Sequence, residues 1–402
     1  MLVQKLKDKL LSPFVPQAQR EGYYSGVSCR YGVARLVIIV VLVVFILASL
    51  IFGYREFTYE NIYYFFKDLD TVLSSDSYTA QSINYGSGEK RGYTAFKGGI
   101  AVADKYSVSV YSSTGRRTAE FNVGYFQPQL RVSDKYLLIY ESGGASFCVC
   151  NSFTRLYSET LATDIYAADI NALGEVLVHT YDSQYRAVLY LYDSGFQCAA
   201  AYYISDYVTS AAVSADGKYV VAATVSAEGG EYISELRAYR RNSTEPVVIC
   251  SVRGEFAMKC GAFPGGFYLL TDRGVRIMDT SGEELLMLEL PGERSVIQCD
   301  TGDRCLAVIS RDGAGYYMSY VPFGGQSVTV KLDAEPLELD VYKKEVYVLF
   351  DGVAVRYDFD AGKMEFSECV PGASGMVTTA DRRVLVCYAT RAVYSEFREV
   401  TK

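Results

Sequence analysis

From Leu36 to Tyr54 the chain reads LVIIVVLVVFILASLIFGY, 19 residues without a charge. As a helix rising about 1.5 Å per residue this run reaches roughly 28 Å, close to the hydrocarbon thickness of a bilayer. A cleaved signal peptide has a shorter apolar core, about 7 to 15 residues, and ends in a small-x-small site. Ala48-Ser49-Leu50 is a poor site of that kind, and no lipobox cysteine follows. Residues 36–54 therefore read as an uncleaved transmembrane helix preceded by a tail, 1–35. After it Thr58 can N-cap a helix with Glu60 in its first turn. Ile62, Phe65, Phe66, Leu69, Val72 and Leu73 then recur at three- and four-residue spacing. That stripe predicts a short amphipathic juxtamembrane helix within 55–77, packed on a globular domain or lying on the outer leaflet.

From residue 78 the pattern changes to short alternating runs broken by Gly and Asp turns, which is the signature of strands. GGIAVADKYSVSVYSSTGRRTAEF (98–121), GGFYLLTDRGVRIMDTSGEELLMLEL (265–290) and KEVYVLFDGVAVRYDFDAGKMEFSECV (344–370) repeat one order of strand, tight turn, strand, small-residue turn, strand. The first turn of each unit recurs at 97–99, 134–136, 173–175, 216–218, 264–266, 302–304, 343–345 and 381–383. The intervals run from about 37 to 48 residues, the period of four-stranded propeller blades. These turns predict an all-β, eight-bladed propeller over 78–402, with seven blades as the rival count if one hairpin is misread. The last unit supplies three strands, and the segment AlaGlnSerIleAsn (80–84) is left over at the start. Joining the two completes a mixed final blade and pairs edges that would otherwise be open.

Charge fixes an expected orientation. Residues 1–53 hold six Lys or Arg against two Asp or Glu, a balance of +4, so the rest of a chain of formal net charge −8 carries −12. Basic residues on the N-terminal flank keep that end in the cytoplasm, which places the acidic propeller outside. Lys5, Lys7 and Lys9 fix topology, with anionic headgroups as an alternative contact. An acidic exterior argues against nucleic acid, whose binders are basic.

VSADGKYVVAATVSA (213–227), SSTGRRTAEF and DTSGEELLMLEL resemble the WD40-like and quinoprotein-like propeller superfamily. The layout of basic tail, single anchor, Phe/Tyr-rich helix and Tyr-rich propeller resembles an uncharacterised family of bacterial membrane-anchored propellers, a domain of unknown function. The resemblance implies architecture alone. The chain has no Trp, so the Trp-Asp pair of WD40 blades and the Trp docking positions of quinoprotein blades are missing, and no cofactor or catalytic residue carries over. Tyrosine is expected in that space: Tyr136, Tyr140, Tyr190, Tyr192, Tyr219, Tyr268, Tyr347 and Tyr357 fall in strand runs, where the ring packs and the hydroxyl seeks a partner. An aromatic sugar platform is the sharper alternative.

Candidate chemistry is sparse. A single histidine, His179, sits in GluValLeuValHisThrTyr and reads as a satisfied wall residue. Of ten cysteines nine follow the anchor, mostly single among Val, Ala and Tyr, where they act as small hydrophobes. Cys299 and Cys305 flank a turn and are a possible hairpin disulfide. Asp358, Asp360, Gly362 and Glu365 mimic part of a calcium loop but lack its remaining ligands, and read as a turn. No metal, cofactor or catalytic site is expected. What remains is the face formed by the second-to-third strand turns and the blade connectors. Its candidate recognition residues are Tyr125, Phe126, Tyr185, Tyr207, Glu228, Glu231, Tyr232, Arg253 and Arg294, with Asp182, Asp206, Glu255, Glu293 and Asp312 beside them. The loop SerAlaGluGlyGlyGluTyr (226–232) is the longest. Aromatics among charges suit recognition. The sequence thus points to a non-enzymatic binding or scaffold module for an envelope protein, peptide or glycan, outside the cell membrane on one span. The alternatives are a carbohydrate-acting enzyme with channel carboxylates and a sensor signalling through the anchor.

Overall fold

The computed structural model describes residues 34–44, 81–87, 90–379 and 383–399. The chain divides into two compact units, Met1–Ser77 and Tyr78–Lys402. In the first, residues 34–44 are helical and exposed throughout. Its apolar side chains from Leu36 to Val44 are between 39% and 65% exposed, on every side of the helix. Among the described residues no helix is long and apolar enough to cross a membrane. The rest of the expected anchor and the juxtamembrane helix lie outside the described residues.

The second unit is all-β. Its strands form eight sheets, each built from four strands in sequence order or completed across the termini. Blades 1 to 8 begin at Lys90, Pro128, Ala167, Tyr207, Ala257, Ser295, Glu338 and Gly375. The innermost strands of successive blades lie side by side around the channel. Eight is thus the blade count, and in blades 1 to 7 each first turn read from the sequence joins the first two strands of one blade.

Burial explains the sequence pattern. Second strands are covered on both faces by neighbouring blades, so Gly266–Thr271 and Glu345–Phe350 are buried at every position and read as continuous apolar runs. Outermost strands are covered on one face only, and Pro246–Arg253 alternates. Without Trp, the blades dock through smaller rings. Phe147–Tyr192 (5.4 Å between centroids), Tyr202–Tyr239 (5.1 Å), Tyr219–Phe267 (5.2 Å), Phe263–Phe323 (4.2 Å) and Tyr320–Phe359 (4.5 Å) each cross a blade boundary. Such pairs contribute about 0.5–1.5 kcal/mol beyond the area they bury. Tyr140, Tyr192, Tyr268 and Tyr347 are buried as expected, whereas Tyr136 stands in the turn before strand Leu137–Glu141 and is half-buried.

The ring closes through both termini. Ser82–Asn84 pairs antiparallel with Arg391–Ser395, Ile83 opposite Ala392, and becomes the outermost strand of blade 8. Ile83 is fully buried, and the Tyr85 hydroxyl donates to the Arg391 carbonyl at 2.8 Å. One feature was not anticipated: Arg398–Glu399 crosses back and adds a fifth strand to the outer edge of blade 7.

Inner strands are sheet edges, so their channel-side N–H groups need acceptors. Carboxylates supply them. The Val213 N–H donates to Asp169 (3.3 Å), that of Val341 to Asp300 (2.7 Å) and that of Thr378 to Asp340 (2.6 Å), each bond running from one blade to the next. Burial raises all three carboxyls above their ordinary range, Asp340 to about 7 with Asp300 as the second cause.

The nine cysteines from Cys148 to Cys387 are free thiols, five of them buried. Cys299 faces Val308 and Cys305 faces Pro322, so the hairpin disulfide considered from the sequence does not form: the two residues are not cross-strand partners. Asp358 to Gly362 form the turn between the third and fourth strands of blade 7, where Asp358 accepts the Ala361 N–H at 2.9 Å. Glu365 is paired with Arg356. Among the described residues no group of acids, Cys or His is arranged to hold a metal.

Candidate functional site

Antiparallel strands reverse at each step, so the turn between second and third strands and the connector to the next blade share one end of every sheet. This connector face holds the aromatic rings that stay exposed. Among the described residues they are Tyr106, Phe126, Tyr166, Tyr203, Tyr207, Tyr232 and Phe256, each in a turn, a connector or a strand end on that side. Phe126, Tyr166, Tyr207 and Phe256 recur once in each of blades 2 to 5, just before or at the start of the innermost strand.

The nine residues singled out from the sequence separate into groups. Tyr125 is 8% exposed and packs into the core between blades 1 and 2. It is not a surface residue; its neighbour Phe126 takes that role because the connector turns one ring in and the next out. Arg294 stacks 3.5 Å from the Tyr317 ring centroid and pairs with Asp312 at 3.3 Å, so its charge is engaged internally. Arg253 and Glu228 form an exposed pair at 3.1 Å.

The segment 226–232 is not a long loop. Tyr219–Glu228 and Glu231–Arg240 stay paired to their ends, with Glu228 opposite Glu231 and Ala227 opposite Tyr232. The turn is Gly229-Gly230 alone, at φ of 63° and 88°, which glycine adopts without strain. The hairpin ends with Tyr232 edge-on to Phe256, 5.6 Å away.

Tyr185 and Tyr207 are brought together. A cleft of about 620 Å³ opens between blades 3 and 4, lined by these two and by Tyr166, His179, Tyr181, Asp182, Gln184, Arg186 and Thr209, among others. Its volume falls in the range of small-ligand sites. Tyr166 and Tyr207 are 53% and 60% exposed. Tyr166 lies 5.5 Å from Tyr181 and 5.2 Å from the His179 ring. The Arg186 guanidinium sits 4.4 Å from the Tyr207 centroid and links the two blades. Asp182 Oδ1 accepts the N–H groups of Gln184 (2.7 Å) and Tyr185 (2.6 Å), which fixes the loop.

His179 departs from the expectation. It lies in the wall, 6% exposed, but among the described residues its ring has no hydrogen-bond partner. Burial pushes its pKa down to about 4, so the imidazole is neutral near pH 7 and offers one donor and one acceptor. Sequence reasoning missed Tyr166, Tyr181, Gln184 and Arg186. The signal for Tyr166 was available as an aromatic residue returning in four successive blades, 2 to 5; for the others none was.

The opposite face holds a charged depression of about 640 Å³ lined by Asp303, Arg304, Lys343, Lys344, Glu345, Asp358 and Asp360. There Lys344 pairs with Asp360.

No curated protein matches the chain. Among solved structures, BamB from Moraxella catarrhalis aligns at 14% identity with a TM-score of 0.53, covering 80% of this chain and 99% of that one. The computationally designed Ika8 protein aligns at 14% identity with a TM-score of 0.57, covering 78% and 98%. These likenesses establish the propeller fold. At the level of sequence, residues 73–259, which run through blade 4 into the start of blade 5, match the model of a family of unknown function, DUF5711, to which this stretch is similar.

Proposed function

We propose that this protein is a non-enzymatic recognition module, a propeller tethered outside the cell membrane by one helix and presenting its connector face to a protein, peptide or glycan of the envelope. The observation that carries this reading is the gathering of the exposed aromatic rings on one face. Rings left open to water on a single side give contact area at low entropic cost, as in binding surfaces generally. The tether is supported by the uncharged run Leu36–Tyr54 and by the helical residues 36–44, apolar on all sides, a pattern suited to lipid. The basic tail supports an inside N-terminus.

The carboxylates argue against a channel enzyme. Asp169, Asp300 and Asp340 each accept a backbone N–H from the next blade, which gives them a structural use. The test is photo-crosslinking in intact cells, with a crosslinking amino acid at Phe126 or Tyr232 and, as control, at Leu173 on the opposite face. A discrete adduct at the first two and none at Leu173 is expected. Equal adducts on both faces, or a C-terminal epitope protected from protease on unbroken protoplasts, would overturn the reading.

A further inference from the structure

We propose that the cleft between blades 3 and 4 binds a neutral oligosaccharide, its ring faces against Tyr166 and Tyr207 and its hydroxyls bonded to His179 and Asp182. This rests on the reading of the connector face as a recognition surface and adds the chemistry of one ligand.

The first observation is charge. Arg186 and Asp182 are the cleft's two charged side chains; the guanidinium already lies over Tyr207, and one carboxylate oxygen is spent on the Gln184 and Tyr185 N–H groups. Such a floor has no surplus charge to compensate a phosphate or a charged peptide, and burying an uncompensated charge is costly. The ligand is therefore neutral.

The second is the donor and acceptor inventory. His179 is more than nine-tenths buried and lines the cleft without a hydrogen-bond partner among the described residues. Its neutral ring presents a donor nitrogen and an acceptor nitrogen. Asp182 Oδ2 and the hydroxyls of Tyr166, Tyr181, Tyr185 and Tyr207 are likewise without partners there. A ligand covering these groups must both donate and accept. A polyproline segment also fits aromatic grooves, but it supplies carbonyl acceptors and few donors. It would leave the Asp182 oxygen and the imidazole acceptor desolvated and unpaired, the expensive case. Sugar hydroxyls do both, and the C–H faces of a pyranose lie against aromatic faces.

The probes are maltotetraose, cellotetraose, xylotetraose and tetra-N-acetylchitotetraose, with a proline decapeptide as the competing occupant. The full chain is placed in lipid nanodiscs, because maltoside detergents carry the ligand's chemistry. Saturation-transfer NMR and calorimetry read binding. At least one sugar is expected to bind saturably. Tyr166→Ala and Tyr207→Ala should each weaken it about tenfold, a change set by one lost stacking face. Tyr232→Ala, on the same face outside the cleft, should leave it unchanged. His179→Gln should retain more affinity than His179→Leu.

No saturable sugar binding, binding indifferent to Tyr166→Ala and Tyr207→Ala, or decapeptide binding lost in Tyr207→Ala would each overturn the inference. Face-specific crosslinks without sugar binding would remove the ligand class and leave the recognition surface. Cleavage of a bound sugar would remove the non-enzymatic reading and leave the ligand class.

Discussion

The two ends of the blades use the same kind of residue in opposite ways. On the side of the first turns, rings pack between blades: Phe323 stacks at 4.2 Å on Phe263 and 5.7 Å from Tyr268, and Phe359 at 4.5 Å on Tyr320. On the connector side, Phe126, Tyr166, Tyr207 and Phe256 occupy recurring positions and remain open to water. Rings closed on one side hold the blades together, while rings open on the other contribute little to folding. Residues that stability does not require are free to be kept for contact.

This contrast can be broken by substitution. The largest effect belongs to ring closure, on which both faces depend. Ile83 is fully buried in a three-residue strand, and Ile83→Asp should cost more than about 4 kcal/mol, because it leaves an unpaired charge in a core; urea unfolding will show it as a lower midpoint or as loss of the cooperative transition. Next, Phe323→Ala should cost about 3 kcal/mol in the same assay, since the ring is buried between two others.

The pH dependence comes third. Asp340, raised to about 7 by burial and then by Asp300, holds its proton more tightly folded than unfolded. Stability from this group is therefore fully present near pH 4 and declines as pH rises towards 7. Between pH 5 and 8 the loss should be on the order of 2 kcal/mol, read as a falling Tm, and Asp340→Asn should flatten that slope. An unchanged slope in the variant would remove Asp340 as its origin.

The smallest effect is the sharpest test. Tyr166→Ala and Tyr207→Ala should each change stability by no more than about 0.5 kcal/mol. If either cost as much as Phe323→Ala, the open rings would be structural and the contrast between the faces would fall.

Much of the architecture was legible from residue order. The three aligned segments map onto second, third and fourth strands of blades 1, 5 and 7, and the leftover segment before residue 85 closes blade 8. The crossing of Arg398–Glu399 to blade 7 was not legible, because two residues carry no period. The site was half legible. Tyr185 and Tyr207 are legible as surface rings, but the residue pattern does not show that Tyr125 is buried or that the strands at 226–232 stay paired to their ends.

Sequence alone determined the strand-and-turn rhythm and the closure by both ends, and it favoured eight blades over seven, a count the eight sheets then settled. Each follows from local alternation and turn chemistry, which neighbouring residues encode by themselves. Tertiary structure decided which aromatic rings are covered, because coverage depends on the blade alongside. That is why Tyr125 and Phe126, consecutive in the chain, end on opposite sides of the surface. It also decided that His179 lines a cleft, because the partner wall comes from blade 4, some 28 residues farther along at Tyr207.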